Sequence, residues 1–287
     1  MPEKLNSLLE LFRVKHWVKN LLIFFPLIFT GNIRNSVLEK SVFLTFILFS
    51  LTASAVYVLN DLIDVKHDRL HEKKKMRPIA SGVIKVRVAL AAHIILLSIS
   101  WVSTFVFLGK NVLGLFIFYY AANIAYSFFL KKHPPLDIIV VALFYLIRPI
   151  IGAAAIAVPV SNWLVLTTFF AALYLVSLKR FAELTTVKKC NIVTRHSINL
   201  YTLESLKVIG LISLTVALVS YGLYASTFPR LFIVTIIPLT ALGLRFVLLT
   251  ERNESLFENP ETIILKDRMS FGLFGVWLIM VIYYHWQ

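Results

Sequence analysis

The sequence is poor in cysteine and in charged residues, and the scarcity of cysteine excludes two kinds of site. Its 287 residues include a single cysteine, Cys190, so the chain can form neither an internal disulfide nor a cysteine metal cluster. Only 15% of the residues are charged, and acids are the scarcer sign, with 15 Asp and Glu against 29 Lys and Arg. No small-residue cleavage site follows the first apolar segment, which predicts that this segment is retained rather than removed as a signal peptide.

Apolar residues fill the chain instead. They make up 59% of it, and the mean hydropathy of +0.81 exceeds that of soluble domains. A membrane span needs about 20 residues to cross roughly 30 Å of hydrocarbon. The stretches that qualify predict an all-α, polytopic integral membrane bundle of nine transmembrane helices in a single domain, at about 17–33, 41–60, 87–108, 111–130, 136–157, 162–179, 207–226, 230–249 and 269–286.

Lysine and arginine residues are concentrated in every second loop. The loops after the second, fourth, sixth and eighth predicted spans carry most of them, and the intervening loops carry few. Because cytoplasmic loops accumulate Lys and Arg, this pattern predicts a cytosolic N-terminus and an outer C-terminus. It also explains the net charge of +14 without a nucleic-acid partner.

Three aspartates stand at the end of the second predicted span. Asp61, Asp64 and Asp68 follow about twenty mostly apolar residues. At about 100° per residue, Asp64 and Asp68 fall within about 60° of Asp61 around a continuing helix, so the three carboxylates can converge on one hard cation. Topology rules give no reason for three acids on one helical face. The pattern therefore predicts a Mg²⁺ site at a membrane face.

A basic run follows the aspartates at once, at Lys73, Lys74, Lys75 and Arg77. Carboxylates alone suit a bare metal, whereas carboxylates followed by cations suit a metal that carries a polyanionic substrate. For any single lysine in the basic loops, ordinary topology and attraction to anionic lipid remain the alternative.

A second polar group stands at the end of the sixth predicted span. Lys179 and Glu183 are four residues apart, with Arg180 beside them. Taken alone, they fit an i,i+4 pair worth a few tenths of a kcal/mol and an arginine that reaches the interface. Together with Arg195 and Tyr201 in the same loop, they favour a site for phosphate.

Arg148 lies inside the fifth predicted span. An unpaired charge there costs about 2.5–3.5 kcal/mol on insertion scales, so something must compensate it. A structural partner, such as Asp137 or a helix carbonyl, and a substrate contact are both open.

The run from Asn60 to Gly82, NDLIDVKHDRLHEKKKMRPIASG, resembles the first aspartate-rich signature of the UbiA superfamily of intramembrane prenyltransferases. Within the superfamily it most resembles the enzymes that transfer phosphoribosyl groups to polyprenyl phosphates. Ordinary members carry a second aspartate pair, whereas here only Glu183 stands among Lys179 and Arg180. The likeness extends over nearly the whole chain, through Arg13–Asn20 (RVKHWVKN), Tyr126–Lys131 (YSFFLK), Tyr145–Gly152 (YLIRPIIG), Lys179–Leu184 (KRFAEL) and Asn259–Arg268 (NPETIILKDR).

The resemblance implies a reaction and its partners. Phosphoribosyl diphosphate is the expected soluble donor, a polyprenyl phosphate of the decaprenyl type is the expected lipid acceptor, and Mg²⁺ is the expected cofactor. The products would be polyprenyl-phosphoryl-ribose 5-phosphate and diphosphate. It also implies a cytosol-facing cavity in the cytoplasmic membrane, and we expect the loops at about 61–86 and 180–206 to cap it and exclude water.

Roles for individual residues follow from the same resemblance. Asp61 and Asp64 are the expected magnesium ligands, with Asp68 bound directly or through water. Asp61 and Asp64 form the expected catalytic set with Lys179 and Arg180. Substrate contacts are expected from Lys19, Asn20, Asn60, Lys74, Arg77, Tyr126, Lys131, Arg148, Glu183, Arg195 and Tyr201.

Two other functions fit parts of the sequence. A prenyltransferase that joins a polyprenyl diphosphate to an aromatic or quinone-precursor acceptor would use the same first site, but the missing second aspartate pair argues against it. An anion transporter would also place cations near a membrane face. Transporters usually contain repeats or broken helices around a midplane site, whereas the polar residues here gather at the predicted cytosolic ends.

Overall fold

The structure is a computed structural model that describes residues 2–70, 74–190, 196–228, 230–252, 257 and 263–286. Over these residues the chain forms helices and turns with no strand, which confirms the all-α prediction. The α-helices are α1 (Pro2–Leu11), α2 (Phe25–Phe29), α3 (Ser36–Ile63), α4 (Val65–Asp68), α5 (Val86–Leu108), α6 (Lys110–Phe128), α7 (Leu136–Ala155), α8 (Asn162–Cys190), α9 (Leu203–Ala225), α10 (Ile236–Arg252), α11 (Ile263–Lys266) and α12 (Arg268–Trp286). Short 3-10 helices lie at Val14–Phe24, Asn32–Arg34, Lys74–Met76, Leu130–Lys132, His196–Leu200 and Arg230–Thr235.

Eight helical segments of the described chain are long and apolar enough to cross a membrane. They agree with eight of the nine predicted spans, and the protein is an integral membrane protein. The segments are Ser36–Ile63, Val86–Leu108, Lys110–Phe128, Leu136–Ala155, Asn162–Val187, Leu203–Ala225, Leu231–Thr250 and Arg268–His285.

The first predicted span, 17–33, differs from that prediction. It consists of the 3-10 helix Val14–Phe24 followed by the five-residue helix α2. Pro26 lies in the first turn of α2, where its missing N–H leaves no helical bond unmade, and this marks the change of helix type. Polar side chains also tie the segment to α3: Trp17 Nε1 donates to Ser54 Oγ (3.0 Å) and Asn20 Nδ2 donates to Ser50 Oγ (2.9 Å).

Residue contacts divide the chain into two compact units. The first comprises Met1–Leu27, Asn35–Phe128 and Arg148–Val158. Within it, α3 packs against α5, α6 and the 3-10 helix Val14–Phe24. Buried hydroxyls join the helices: Thr52 Oγ1 lies 2.8 Å from Ser100 Oγ, which donates to the carbonyl of Leu48 (2.7 Å). Small and hydroxylated residues let membrane helices approach closely, which explains this seam along α3.

The second unit comprises Ile28–Arg34, Phe129–Ile147 and Pro159–Gln287. Its most extensive helix packing is that of α8 on α9, and α10 packs on α12. Thr202 caps α9 through a reciprocal pair of hydrogen bonds with Ser205, at 2.9 and 3.0 Å. An apolar cluster that includes Ile138, Phe181 and Ile198 holds the 3-10 helix His196–Leu200 in place.

The helices α3 and α8 are 28 and 29 residues long. At 1.5 Å per residue each is about 43 Å long, more than the roughly 30 Å of a hydrocarbon layer. Each helix is therefore longer than an untilted span requires. The predicted cap loops at about 61–86 and 180–206 accordingly begin on helix, and α8 continues to Cys190.

Candidate active site

Asp61 lies in the last turn of α3 and is 3% exposed. The helix ends at Ile63, Asp64 adopts a bent backbone conformation (φ −86°, ψ 1°), and α4 carries the chain on to Asp68, which is also 3% exposed. The aspartates are thus on two helical segments rather than on the one continuing helix that the sequence analysis assumed. Two of the three carboxylates are buried, and Asp64 is half-buried.

Two arginines neutralise the buried carboxylates. Arg13 Nη2 donates to Asp61 Oδ1 at 2.6 Å, and Arg77 Nη1 donates to the same oxygen at 3.0 Å. Arg77 Nη1 also donates to Asp68 Oδ2 at 2.6 Å. Because Arg77 Nη1 bonds both aspartates, the distance between Asp61 Oδ1 and Asp68 Oδ2 cannot exceed the sum of these two hydrogen-bond lengths. We call Asp61, Asp64, Asp68, Arg13 and Arg77 the aspartate cluster.

Local structure brings both arginines to Asp61. Arg13 follows α1 in the left-handed conformation (φ 48°, ψ 45°), which is uncommon outside glycine, and its guanidinium lies 4.7 Å from the ring centre of Tyr57. Arg77 follows the 3-10 helix Lys74–Met76. The next residues are anchored by Ile79 and Ile84, which pack in an apolar cluster with Val58 of α3.

The oxygen ligands of the aspartate cluster are of the type that Mg²⁺ prefers, so the donor set fits the expected cofactor. Its present arrangement is different: among the described residues no three His, Cys, Asp or Glu side chains are grouped to hold a metal ion. The guanidinium of Arg77 lies where two carboxylates approach each other. A cation at Asp61 and Asp68 would thus take over charge that Arg77 now balances.

Other predicted residues of the first unit make side-chain bonds of their own. Ser127 Oγ donates to Asn60 Oδ1 at 2.9 Å, beside the buried Tyr126 on α6. Arg148 Nε donates to Asn20 Oδ1 at 2.8 Å, and its guanidinium lies 5.6 Å from the ring centre of Phe49. The side-chain amide of Asn20 is thus one structural partner of Arg148. Its contact with substrate stays a prediction.

Arg180 anchors a group in the second unit. Its Nη1 donates to Glu183 Oε2 at 2.6 Å, and its Nε lies 3.5 Å from Asp137 Oδ2. Asp137 is fully buried in the first turn of α7, and it accepts bonds from Tyr201 Oη (2.6 Å) and Ser197 Oγ (3.4 Å). The residues Asp137, Arg180, Glu183, Ser197 and Tyr201 are called the Arg180 cluster. Glu183 pairs with Arg180, three residues away, and the i,i+4 pair of Glu183 with Lys179 stays a prediction.

The predicted lysines differ in exposure. Lys74 is exposed, while Lys19, Lys131 and Lys179 are half-buried. The 3-10 helix Leu130–Lys132 lies against the 3-10 helix His196–Leu200, which places Lys131 near the segment that carries Ser197. Arg195 lies outside the described residues. The roles of all these residues stay predictions.

Sequence reasoning missed three residues of these clusters, Arg13, Asp137 and Ser197. Arg13 was only the first letter of a matching motif, although the αL turn brings it to Asp61. Asp137 was considered only as a partner of Arg148, and its contacts with Arg180 and Tyr201 were not foreseen. A single acid at the start of an apolar span was the signal that could have marked Asp137, because such a charge needs compensation.

Comparisons with known proteins agree with the fold and the motifs. The family model of the UbiA prenyltransferase family matches residues 22–256. The chain is 35% identical over 283 residues to the decaprenyl-phosphate phosphoribosyltransferase of Mycobacterium tuberculosis strain CDC 1551, with 94% of this chain and 91% of the relative covered. It is 33% identical to the protein of the same name from Mycolicibacterium smegmatis, with 96% and 92% covered.

Solved structures show the same fold. A UbiA homologue from Archaeoglobus fulgidus, bound to GPP and Mg²⁺, superposes with a TM-score of 0.70 at 18% identity, covering 96% of this chain and 99% of that one. Another structure of the homologue contains Cd²⁺, so a divalent metal binds in that protein. Because the family model covers most of the sequence and relatives above 30% identity cover nearly all of it, this chain belongs to the UbiA prenyltransferase family.

Proposed function

We propose that this protein is a Mg²⁺-dependent polyprenyl-phosphate phosphoribosyltransferase. The observation that carries the proposal is similarity over nearly the full length to relatives named decaprenyl-phosphate phosphoribosyltransferase, at 35% and 33% identity. Family membership makes the protein a transferase that works in the membrane. Lys179 and Arg180 stand where ordinary members of the family carry an aspartate pair, which supports a second site that holds phosphate oxygens directly.

The reaction exchanges one bond at C1 of ribose for another. The bond from C1 to the diphosphate oxygen breaks, and a bond from C1 to an oxygen of the lipid phosphate forms on the opposite face, with inversion at C1. Diphosphate leaves with the bonding electron pair. No general base is required, since a phosphate monoester with a second pKa near 6 is already largely ionised at neutral pH. The histidines of the acidic segment are therefore left without a catalytic role.

Charge repulsion is the main barrier to bringing these substrates together. Each pair of like charges at about 4 Å costs roughly 4 kcal/mol at an effective dielectric of 20. Asp61 and Asp64, with Asp68 bound directly or through water, would hold a Mg²⁺ ion that supplies positive charge for the departing diphosphate. Arg77 hydrogen-bonds Asp61 and Asp68, and its charge becomes available to phosphate oxygens when those carboxylates take a cation.

The remaining cations supply a basic shell for the phosphates. Arg180 carries a planar guanidinium that suits two phosphate oxygens. Lys19, Lys74, Lys131 and Lys179 add positive charge, and Asn60 orients the aspartate cluster. Tyr126, Arg148, Glu183, Arg195 and Tyr201, with Asn20, complete the proposed contacts to ribose and lipid phosphate. We further propose that the chain acts as a single domain in the cytoplasmic membrane, with its N-terminus and active site in the cytosol.

Label transfer into lipid tests the proposal directly. Purified protein is incubated with Mg²⁺, polyprenyl phosphate and radiolabelled phosphoribosyl diphosphate, and label is followed into the lipid phase. Asp61→Asn removes a proposed ligand of the cation, and we expect it to abolish transfer. Glu39→Gln is the matched control, because it removes an exposed carboxylate from the first turn of the same helix.

Three outcomes are informative. Label in lipid that is lost in Asp61→Asn and kept in Glu39→Gln supports phosphoribosyl transfer. Absence of label, with activity on a polyprenyl diphosphate and an aromatic acceptor, would make the protein an ordinary prenyltransferase. Uptake of the labelled phosphoribosyl diphosphate into proteoliposomes, without any labelled lipid product, would make the protein a transporter.

A further inference from the structure

Asp137 is a fully buried carboxylate in the second unit that the proposed reaction does not use. Its two oxygens receive polar groups from two other segments of the chain: Tyr201 Oη at 2.6 Å and Ser197 Oγ at 3.4 Å from the segment around the 3-10 helix His196–Leu200, and Arg180 Nε at 3.5 Å from α8. Three elements of that unit thus meet at one acid. Removing a carboxylate from water costs several kcal/mol, so burial this deep needs compensation from a cation and hydrogen bonds.

Arg180 is held from two directions. Its side chain is 5% exposed, with the Nε edge toward Asp137 and Nη1 on Glu183 at 2.6 Å. Glu183 is 31% exposed and lies on the same helix, so α8 supplies that contact by itself. Asp137 lies on another helix, α7, and its ion pair with Arg180 Nε at 3.5 Å is made without a hydrogen bond, so electrostatic attraction ties the guanidinium to that helix.

The hydrogen bonds from Ser197 and Tyr201 to Asp137 also hold in place the segment around the 3-10 helix His196–Leu200. The apolar side chains of Ile198 and Leu206 pack around them in the cluster that also contains Phe181. Packing alone would hold this segment against α8, but it sets no direction for a phenol or a guanidinium. The short bond from Tyr201 to Asp137 supplies that direction.

We propose that Asp137 is a positioning residue that orients Arg180 for binding phosphate oxygens, with the hydrogen bond from Tyr201 holding the Asp137 carboxylate in place. The inference rests on the proposed function in that it takes Arg180 as a phosphate ligand. Asp137 is buried and acts through Arg180 rather than on the substrate. A preorganised guanidinium loses less entropy when it binds phosphate, so the orientation raises affinity without a new contact.

A double-mutant cycle separates positioning from a purely structural role. The variants are Asp137→Asn, which keeps the size of the side chain but removes its charge, Arg180→Gln, and the two combined. Equilibrium binding is measured by calorimetry with two probes, inorganic diphosphate and farnesyl phosphate, beside the transfer rate. Asp267→Asn is the matched control, because Asp267 also pairs with an arginine in this unit, Arg245, at 2.9 Å.

If Asp137 acts through Arg180, their effects do not add. We expect Asp137→Asn to weaken binding by about tenfold for the same probe whose binding Arg180→Gln weakens. In the Arg180→Gln background, Asp137→Asn should cause no further loss of affinity. Asp267→Asn should leave both probes unchanged. Should Asp137→Asn fail to fold, Ser197→Ala, which removes another donor to Asp137, replaces it in the same cycle, with a smaller effect that also vanishes in the Arg180→Gln background.

Four results would overturn the proposal: Asp137→Asn binds both probes normally, its effect adds to that of Arg180→Gln, Arg180→Gln weakens binding of neither probe, or, in the fallback cycle, the effect of Ser197→Ala is independent of Arg180. Failure of the proposed function is a separate observation. A wild-type protein that transfers no label while the cycle shows the expected coupling would refute phosphoribosyl transfer and leave the role of Asp137 intact.

Discussion

Gly152→Ala is the substitution for which the structure predicts the sharpest effect. Gly152 lies in α7, where the backbone of the 3-10 helix Val14–Phe24 passes closest to it. A methyl group at this position would overlap the carbonyl oxygen of Ile23 and would lie 2.9 Å from its carbonyl carbon and 3.2 Å from its Cα. Because all three are backbone atoms, no side-chain rotation relieves the overlap, and the two helices must separate.

The magnitude follows from two opposing terms. Overpacking costs about 1–3 kcal/mol, and overlap with backbone belongs at the upper end, about 3 kcal/mol. Alanine returns about 1 kcal/mol of helix propensity relative to glycine, which leaves a net loss of about 2 kcal/mol. At about 2–4 °C per kcal/mol for chains of roughly this size, the unfolding midpoint should fall by about 4–8 °C.

Thermal unfolding of the purified protein in one detergent measures this difference. Gly114→Ala is the control, since Gly114 lies inside α6 with nothing within 4 Å of a new methyl group, and its midpoint should rise by about 2–4 °C. Transfer activity should fall only in Gly152→Ala, because Arg148 lies one turn away and bonds Asn20 of the displaced helix. An unchanged or raised midpoint in Gly152→Ala would refute the reasoning.

Three further perturbations test the local contacts. Asp267→Ala removes the carboxylate that accepts from the Ser270 N–H (2.9 Å) at the start of α12, and we expect the free energy of unfolding to fall by about 0.5–2 kcal/mol. Hydrogen bonds from Arg245 and then Ser270 hold the pKa of Asp267 well below its usual range. The stabilisation by Asp267 is therefore present above pH about 4 and is lost as the pH falls further. Arg77→Gln removes the cation shared by two aspartates, and substrate-free protein should bind Mn²⁺ more tightly by electron paramagnetic resonance while transfer falls. Asn20→Ala takes the acceptor from a buried guanidinium and should cost about 1–3 kcal/mol in unfolding experiments, with Asn20→Asp less damaging.

Each of these has a result that would contradict it. A pH titration in which Asp267→Asn loses stability in acid as the wild type does would remove the ion pair as the cause. Weaker Mn²⁺ binding in Arg77→Gln would mean that Arg77 supports the cation rather than competing with it. An Asn20→Ala protein of normal stability would show that the amide does little for Arg148.

The helical bundle could be predicted from the sequence because long apolar runs leave a chain in lipid few options. The exception was residues 17–33, where hydropathy is blind to helix type. Its form depends on tertiary contacts, those of Trp17 and Asn20 with α3 and of Gly152 with Ile23, which have no linear signature.

The candidate site was predictable as a set of residue types and less so as a set of pairs. Asp61 and Arg77 stood in one motif, so their contact was within reach of sequence reasoning. Arg13 reaches Asp61 only through a left-handed turn at a non-glycine residue, which propensity disfavours. Asp137 and Tyr201 are 64 positions apart, and only the packing of α7 and α8 with the His196–Leu200 segment brings them together.

The great length of α3 and α8 makes the protein sensitive to bilayer thickness. Each helix joins an apolar span and its polar cluster residues in one rigid rod, with no loop between them to absorb a vertical shift. A thicker bilayer draws polar turns toward hydrocarbon and a thinner one lifts them away, unless the helices tilt at a cost of a fraction of a kcal/mol per ångström. Lipid acyl-chain length should therefore tune the height at which Asp61 and Arg180 meet water-soluble and membrane-bound reactants.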